Sequence, residues 1–367
     1  MNRSFYILLL IFMTSSCGNE KKRLENEKNI LGDWIQMYRK DNSGEAGFSF
    51  YANHTYDNKD GFFKQLKDDK LGRQYYLGSN SKFRLSGDSL YLFRPDNNGW
   101  HAYKIFELTA TSLKFGNAEN TNSLARIKVS KTKTPEFNKI VLSTSDCLGP
   151  CPISSTVINS DGTIMFSGLE FATISGLYTG NISKLKYNEL QDNFRKMDFD
   201  SLKSFYDDRI TDQQTTSVTF VKNGEIYKTV HDYARVAPLV FRWAYVPLEN
   251  LYQQVPLHRI LPPSYMLYFD KMMNVTFING DKALRLEQSE TFLLMEYLQH
   301  GKICNKRFAP RYEMHGFFTI NKFPEAVTDG RYYTFEKKGK PTTVDIGFNF
   351  YDINAKNWQW QKANKYD

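Results

Sequence analysis

The chain has 367 residues, with 48 Lys and Arg against 40 Asp and Glu, a net charge of +8, and 15% aromatic side chains that include 28 Phe and 23 Tyr. That length exceeds what one ordinary core serves and implies two or three domains. The charges are interspersed, with no basic stripe interleaved with aromatics, which argues against a nucleic-acid partner.

At the N-terminus Arg3 precedes an apolar run from Phe5 to Met13, and Ser15-Ser16 lead into Cys17-Gly18. A charged start, a short apolar run and a small-residue cleavage site make an export signal too short to span a bilayer. Because it ends on a cysteine, the segment resembles a bacterial lipoprotein signal, with Thr14 where such signals usually carry Leu. The resemblance implies that residues 1–17 are signal peptide plus a lipidated Cys17. It further implies a cell-envelope protein held at a membrane, the outer membrane first among candidates, by acyl chains alone. Residues 18–29 hold a mixed-sign cluster from Glu20 to Lys28 and predict a solvated tether.

The first domain is expected over 30–131. After Gly32-Asp33-Trp34, strand-like runs fall at Gly47–Tyr51, Gln74–Leu77, Lys82–Leu85, Ser89–Phe93, Trp100–Leu108, Ser112–Phe115 and Leu124–Val129, each bounded by turn residues. Seven or eight short antiparallel strands in so few residues predict a small closed barrel. Gly32-x-Trp34, Gly87-Asp88-Ser89-Leu90, Trp100-x-x-Tyr103 and Leu108-Thr109 resemble the lipocalin-like domains of envelope lipoproteins. The resemblance implies that Trp34 closes the barrel bottom as a packing residue. Such a barrel either holds a small apolar ligand or is filled by its own side chains.

Thr132–Pro135 read as a linker to a second domain, 137–255, whose most constrained stretch is Cys147-Leu148-Gly149-Pro150-Cys151-Pro152. A hairpin is expected across Asn159–Gly162, then a strand near Ser175–Thr179. Tyr187, Leu190, Phe194 and Met197 mark one stripe of a helix with Ser183 as N-cap. Asn223-Gly224 is a strong hairpin signal between Thr215–Val221 and Glu225–Val230. A last helix opens near Pro238 and is expected to break at Pro247. The cysteine stretch, with Asp161-Gly162, Gly168, Phe205-Tyr206 and Thr211-Asp212, is similar to an uncharacterised family of exported bacterial lipoproteins. That resemblance implies a module and no reaction.

Pro256 to Pro263 read as a second linker. Residues 264–367 predict a hairpin at Asn279-Gly280, a helix from Ser289 to His300 stopped by Gly301, and a hairpin at Lys338-Gly339 joining Tyr332–Phe335 to Thr343–Phe350. This is either a third α+β domain or an extension packed on the second. The expected fold class is therefore mainly β with α+β: a small antiparallel lipocalin-like barrel followed by one or two α+β domains.

Candidate chemistry is sparse. Cys147 and Cys151 form either a local structural disulfide, in keeping with export, or a redox pair; the spacing has one residue more than the thioredoxin motif. Asp207, Asp208 and Asp212 can bind a cation or serve as acid and base, or simply form a solvated loop. The six histidines show no ligand spacing, so no metal and no cofactor are expected. The sequence thus points to a membrane-anchored, non-enzymatic binding or assembly module with envelope protein partners. The alternatives are a carrier of a small apolar ligand, thiol–disulfide exchange at Cys147/Cys151, or hydrolysis by the aspartates.

Overall fold

The computed structural model describes residues 22–36, 47–65, 67, 69–117, 120–127, 135–266, 274–316, 324–337 and 339–363. The signal segment with Cys17, the start of the tether and Thr132–Thr134 lie outside them. Residues 22–30, expected as tether, are helical (α1). Lys, Arg, Leu and Glu favour that state, and the helix ends on the fully buried Ile30.

Eight antiparallel strands then close a barrel: β1 (Gly32–Gln36), β2 (Gly47–Phe50), β3 (Thr55–Asn58), β6 (Asn80–Ser86), β7 (Ser89–Arg94), β8 (Gly99–Leu108), β9 (Ser112–Gly116) and β10 (Thr121–Arg126). β10 returns to pair with β1, so the sheet has no free edge. Between β3 and β6, β4 (Phe63–Gln65) and β5 (Gln74–Tyr76) pair with each other as a separate two-stranded sheet. The run at Gln74–Leu77 is therefore not a barrel strand. Gln74 and Tyr75 are exposed and only Tyr76 is buried, so the run has no inward face to offer. Its place is taken by the short, polar β3.

Inside the barrel Phe50, Tyr56, Phe83 and Phe115 belong to one buried cluster, with Phe50 and Phe83 edge to face at 5.0 Å. Trp34 is fully buried. Its Nε1 donates to the Ile30 carbonyl at 2.7 Å, and the Arg126 guanidinium lies 4.3 Å above its ring. Arg126 in turn donates to the carbonyls of Asn29, Leu31 and Ala110. Gly32 has φ +116°, and a Cβ there would collide with Arg126, so the Gly32-x-Trp34 spacing reflects how the guanidinium reaches the indole.

Residues 130–367, with 65–75, form a second compact unit. It contains a sheet of β11 (Lys139–Thr144), β12 (Ser154–Asn159), β13 (Thr163–Gly168), β14 (Gly176–Asn181), β15 (Phe205–Tyr206), β16 (Thr215–Lys222), β17 (Glu225–Tyr233) and β18 (Leu257–Ile260), in the order β15-β17-β16-β11-β12-β13-β14-β18. A further sheet has β19 (Val275–Asn279), β20 (Lys282–Arg285), β21 (Lys302–Cys304), β22 (Tyr312–Gly316), β23 (Ala326–Thr328), β24 (Tyr332–Lys337), β25 (Lys340–Asp345) and β26 (Gln361–Lys362), in the order β21-β25-β24-β23-β22-β19-β20-β26.

The helices are α2 (Lys184–Phe194), α3 (Leu239–Glu249), α4 (Gln288–His300) and the short α5 (Phe350–Asn354). Ser183 caps α2 by accepting from the Lys186 amide, which satisfies one orphan donor. α2 and α3 cover one face of the first of these sheets, where Phe194 meets Phe220 and Phe241. α4 covers the opposite face and is buried on every side: Phe292, Leu293, Leu294 and Met295 share one core with Val141, Val157 and Met165 of one sheet and Phe277, Met314 and Val344 of the other. Residues 264–367 thus share a core with the sheet of the second segment within one compact unit.

Four expectations change. α2 ends at Phe194 with Arg195 as its C-cap, so Met197, expected on the same stripe, lies beyond the helix although it is buried. Pro256–Pro263 is not a plain linker, because β18 pairs with β14 and lengthens the sheet. Pro247 does not break α3, which runs on to Glu249; so near the end it forfeits one backbone bond only. The strand expected over Thr343–Phe350 spans Lys340–Asp345, then turns through Gly347 (φ 91°) so that Phe350 opens α5.

Candidate functional site

The six-residue cysteine stretch forms an exposed loop between β11 and β12. Cys147 and Cys151 are bonded to each other, with Cα atoms 5.8 Å apart, and Leu148 at the tip is 85% exposed. The feet of the loop are clamped: Gln214 Nε2 donates to the carbonyls of Ser145 and Pro152 at 2.9 Å each, and the Thr215 amide donates to Ser145 Oγ at 3.0 Å. The residues after Cys151 lead into a strand rather than a helix, so the thiols lack the helix N-terminus that lowers a cysteine pKa. Cys304, on β21, is free and partly buried.

Asp207, Asp208 and Asp212 are all exposed. Asp208 accepts from the Arg209 amide, and the Asp212 backbone carbonyl accepts from the Leu148 amide at 3.1 Å. Among the described residues, no three His, Cys, Asp or Glu side chains gather as metal ligands.

Replacing Cys147→Ser with Cys151→Ser is expected to cost about 2 kcal/mol, since so short a loop removes little entropy from the unfolded chain. Chemical denaturation should report that loss with the circular dichroism of the fold unchanged. Rapid exchange of the wild type with a small dithiol, abolished in the variant, would contradict a structural bridge.

The foot of this loop leads to a cleft of the second unit, about 630 Å³, lined by Ser145, Asp146, His231, Arg285, Glu287 and Gln288 among others. Of its lining, His231 stands at the end of a buried row set by strand register. Ser143 pairs with both Ser155 and Ser217, Ser155 with Ser167, and Ser217 with His231, so four serines and the histidine form one row across five strands. The row lies under the start of α4, where the Ser289 amide donates to Ser217 Oγ at 3.0 Å.

Hydroxyls in such a dry place require partners, and Ser143 donates to Ser155 at 2.8 Å. Deeper in, Thr229 donates to Glu290 at 2.8 Å and Thr219 lies 2.8 Å from Ser289. Burial pushes the Glu290 carboxyl up to about 7, the Thr229 hydroxyl and Glu287 amide acting against that rise.

His231 Nδ1 lies 3.0 Å from Glu287 Oε2, and Phe205 stacks on its ring at 4.4 Å and 17°. Glu287 also N-caps α4 in a reciprocal box with Glu290. Gln288 is fixed by donating to the Thr144 carbonyl at 3.1 Å. The cleft thus presents an oriented imidazole, a guanidinium, carboxylates and an amide. Among the described residues Glu287 is the only side chain hydrogen-bonded to His231; an acyl-transfer site would add a hydroxyl or thiol there.

None of His231, Arg285 or Glu287 stands out in the sequence. They come from separate elements, and the only linear hints are serines at inward positions of apolar strands and the Glu287-x-x-Glu290 capping pattern. A smaller cleft of about 380 Å³ opens on the barrel beside Ile30, Tyr51, His54, Phe83 and Leu85.

Residues 138–252 match the domain of unknown function DUF6438. No curated protein matches the chain. Among solved structures, the Helicobacter pylori beta clamp bound to a DNA ligase peptide aligns over 89% of this chain and 97% of its own, at 7% identity and a TM-score of 0.14. The Pseudomonas aeruginosa DNA polymerase III subunit beta aligns over the same shares at 6% identity and a TM-score of 0.14. Such values carry no argument about fold or partner.

Proposed function

We propose that the protein is a lipid-anchored envelope protein that binds rather than transforms its partner, with the cleft at His231, Arg285 and Glu287 as the binding site for a polar ligand. The observation behind this reading is the way the cleft is held. Its donors and acceptors are fixed before any ligand arrives, as a binding site requires, while the imidazole is turned to a carboxylate and a phenyl ring instead of a nucleophile. The anchoring half rests on the sequence around Cys17. Among the described residues no helix is long and apolar enough to cross a membrane, which suits attachment through acyl chains.

Two experiments address the two halves. Cells fed a fatty-acid analogue should label the wild type, and Cys17→Ala should abolish the label. The purified protein should show no His231-dependent turnover of ester, phosphoester or glycoside chromogens. An unlabelled wild type would overturn the anchor; turnover lost in His231→Ala would overturn the binding reading.

A further inference from the structure

The barrel carries a surface that its sequence conceals. On the outer face of β6–β9, Lys82, Arg84, Trp100, Lys104, Phe106 and Lys114 are all exposed. Trp100 and Phe106 are 44% and 49% exposed. The Arg84 guanidinium lies between two rings, 4.6 Å from Tyr91 and 4.8 Å from Trp100, and Phe93 packs edge-on to Trp100 at 5.5 Å. Glu107, across from Lys114, is an acid on this patch. Residues far apart in sequence meet because alternate positions on adjacent antiparallel strands share a face: Arg84 pairs with Tyr91, and Phe93 with Trp100.

We propose that this face docks on an anionic lipid surface. Exposed indole and phenyl rings beside cations match the interfacial region of a bilayer, where amphipathic rings settle at headgroup level and Lys and Arg meet phosphate. Chain length favours the same occupant. If Cys17 carries the acyl chains, Lys22 stands within about 18 Å of the bilayer even fully extended, and residues 22–30 add about 13 Å as helix. The barrel is then held near the membrane, and a basic, aromatic face on it has a lipid partner within reach. In choosing lipid over other anions the proposal rests on the anchored reading; the chemistry of the face does not.

The test uses the chain from Gly18 onward, which keeps every described element and lacks the leader and the lipidated cysteine. It should sediment with sucrose-loaded phosphatidylcholine vesicles containing about 30% phosphatidylglycerol but not with phosphatidylcholine alone, and should be released as salt rises to about 0.5 M. Arg84→Glu with Lys104→Glu should weaken partitioning about tenfold or more, whereas Lys306→Glu, an exposed charge of the second unit, should not. Lys82→Glu with Lys114→Glu provides a second pair should the first melt early.

Failure to bind the anionic vesicles, or binding indifferent to both pairs, would overturn the proposal. So would tighter binding of an oligothymidylate than of vesicles, since rings beside cations also suit single-stranded nucleic acid. Vesicle binding without acyl labelling would remove the anchor and leave the docking face; labelling without vesicle binding would do the reverse.

Discussion

Trp34→Ala is expected to destabilise the barrel by about 3–5 kcal/mol, the range for deleting a buried indole. The side chain is fully buried, so its removal leaves a cavity as well as losing burial. Two further contacts go with it. The Ile30 carbonyl loses its donor, and the Arg126 guanidinium loses the ring beneath it. Arg126 ties two carbonyls just ahead of β1, those of Asn29 and Leu31, to that of Ala110 in the β8–β9 turn, so loosening it should also fray the junction between α1 and the barrel. Calorimetry should show the barrel transition move sharply down while that of residues 130–367 stays in place. Trp34→Phe keeps most of the ring and should cost far less. A loss below about 1 kcal/mol for the alanine variant would mean that the site collapses readily and that Trp34 is not the barrel's main plug.

The second large effect is expected at the ion pair of Lys139 and Glu296, which joins β11 to α4 with side chains only 11% and 7% exposed. The ammonium also lies 4.4 Å from the Tyr297 ring, and the other carboxylate oxygen accepts from Asn159 at 3.4 Å. Removing one partner leaves a charge in a place water scarcely reaches, so Lys139→Met or Glu296→Leu alone should cost about 3–5 kcal/mol. The two together should cost much less than their sum, because well-packed apolar side chains often replace a buried pair without loss. Denaturant melts of the two single variants and the double variant give the coupling directly. Strict additivity would mean that water already screens the pair.

What could be read from the sequence was local. Asn223-Gly224 turns with φ of 55° and 84°, both left-handed, as its hairpin signal requires. Ser183, the stripe Tyr187–Leu190–Phe194 and the α4 helix follow from capping and period. Barrel closure followed from many short strands. β3 and β18 were not legible: Thr55–Asn58 is polar, and Leu257–Ile260 sits among prolines, so neither announces a sheet until its neighbours supply partners. The cleft was hidden for a related reason. Strand register brings His231 beside Ser217, and helix packing brings Glu287 to His231; no spacing within one segment encodes either. The docking face shows the same limit, since interspersed charges in the chain become a patch once four strands lie side by side.

The position of α4 also bears on how the protein is made. The stretch that matches a family ends at residue 252, yet the apolar face it offers at Val141, Val157 and Met165 is covered by a helix that begins at Gln288. During synthesis at roughly 5–20 residues per second, the last strands of that sheet emerge some seconds before the helix that covers them, and its first strand roughly 7–30 seconds before. Through that interval the sheet has the α2/α3 side on which to fold and a bare opposite side open to wrong partners. A ribosome-bound or translocating chain should therefore stay sensitive to protease and receptive to chaperones until about residue 300 is out, long after the matched domain is complete in sequence.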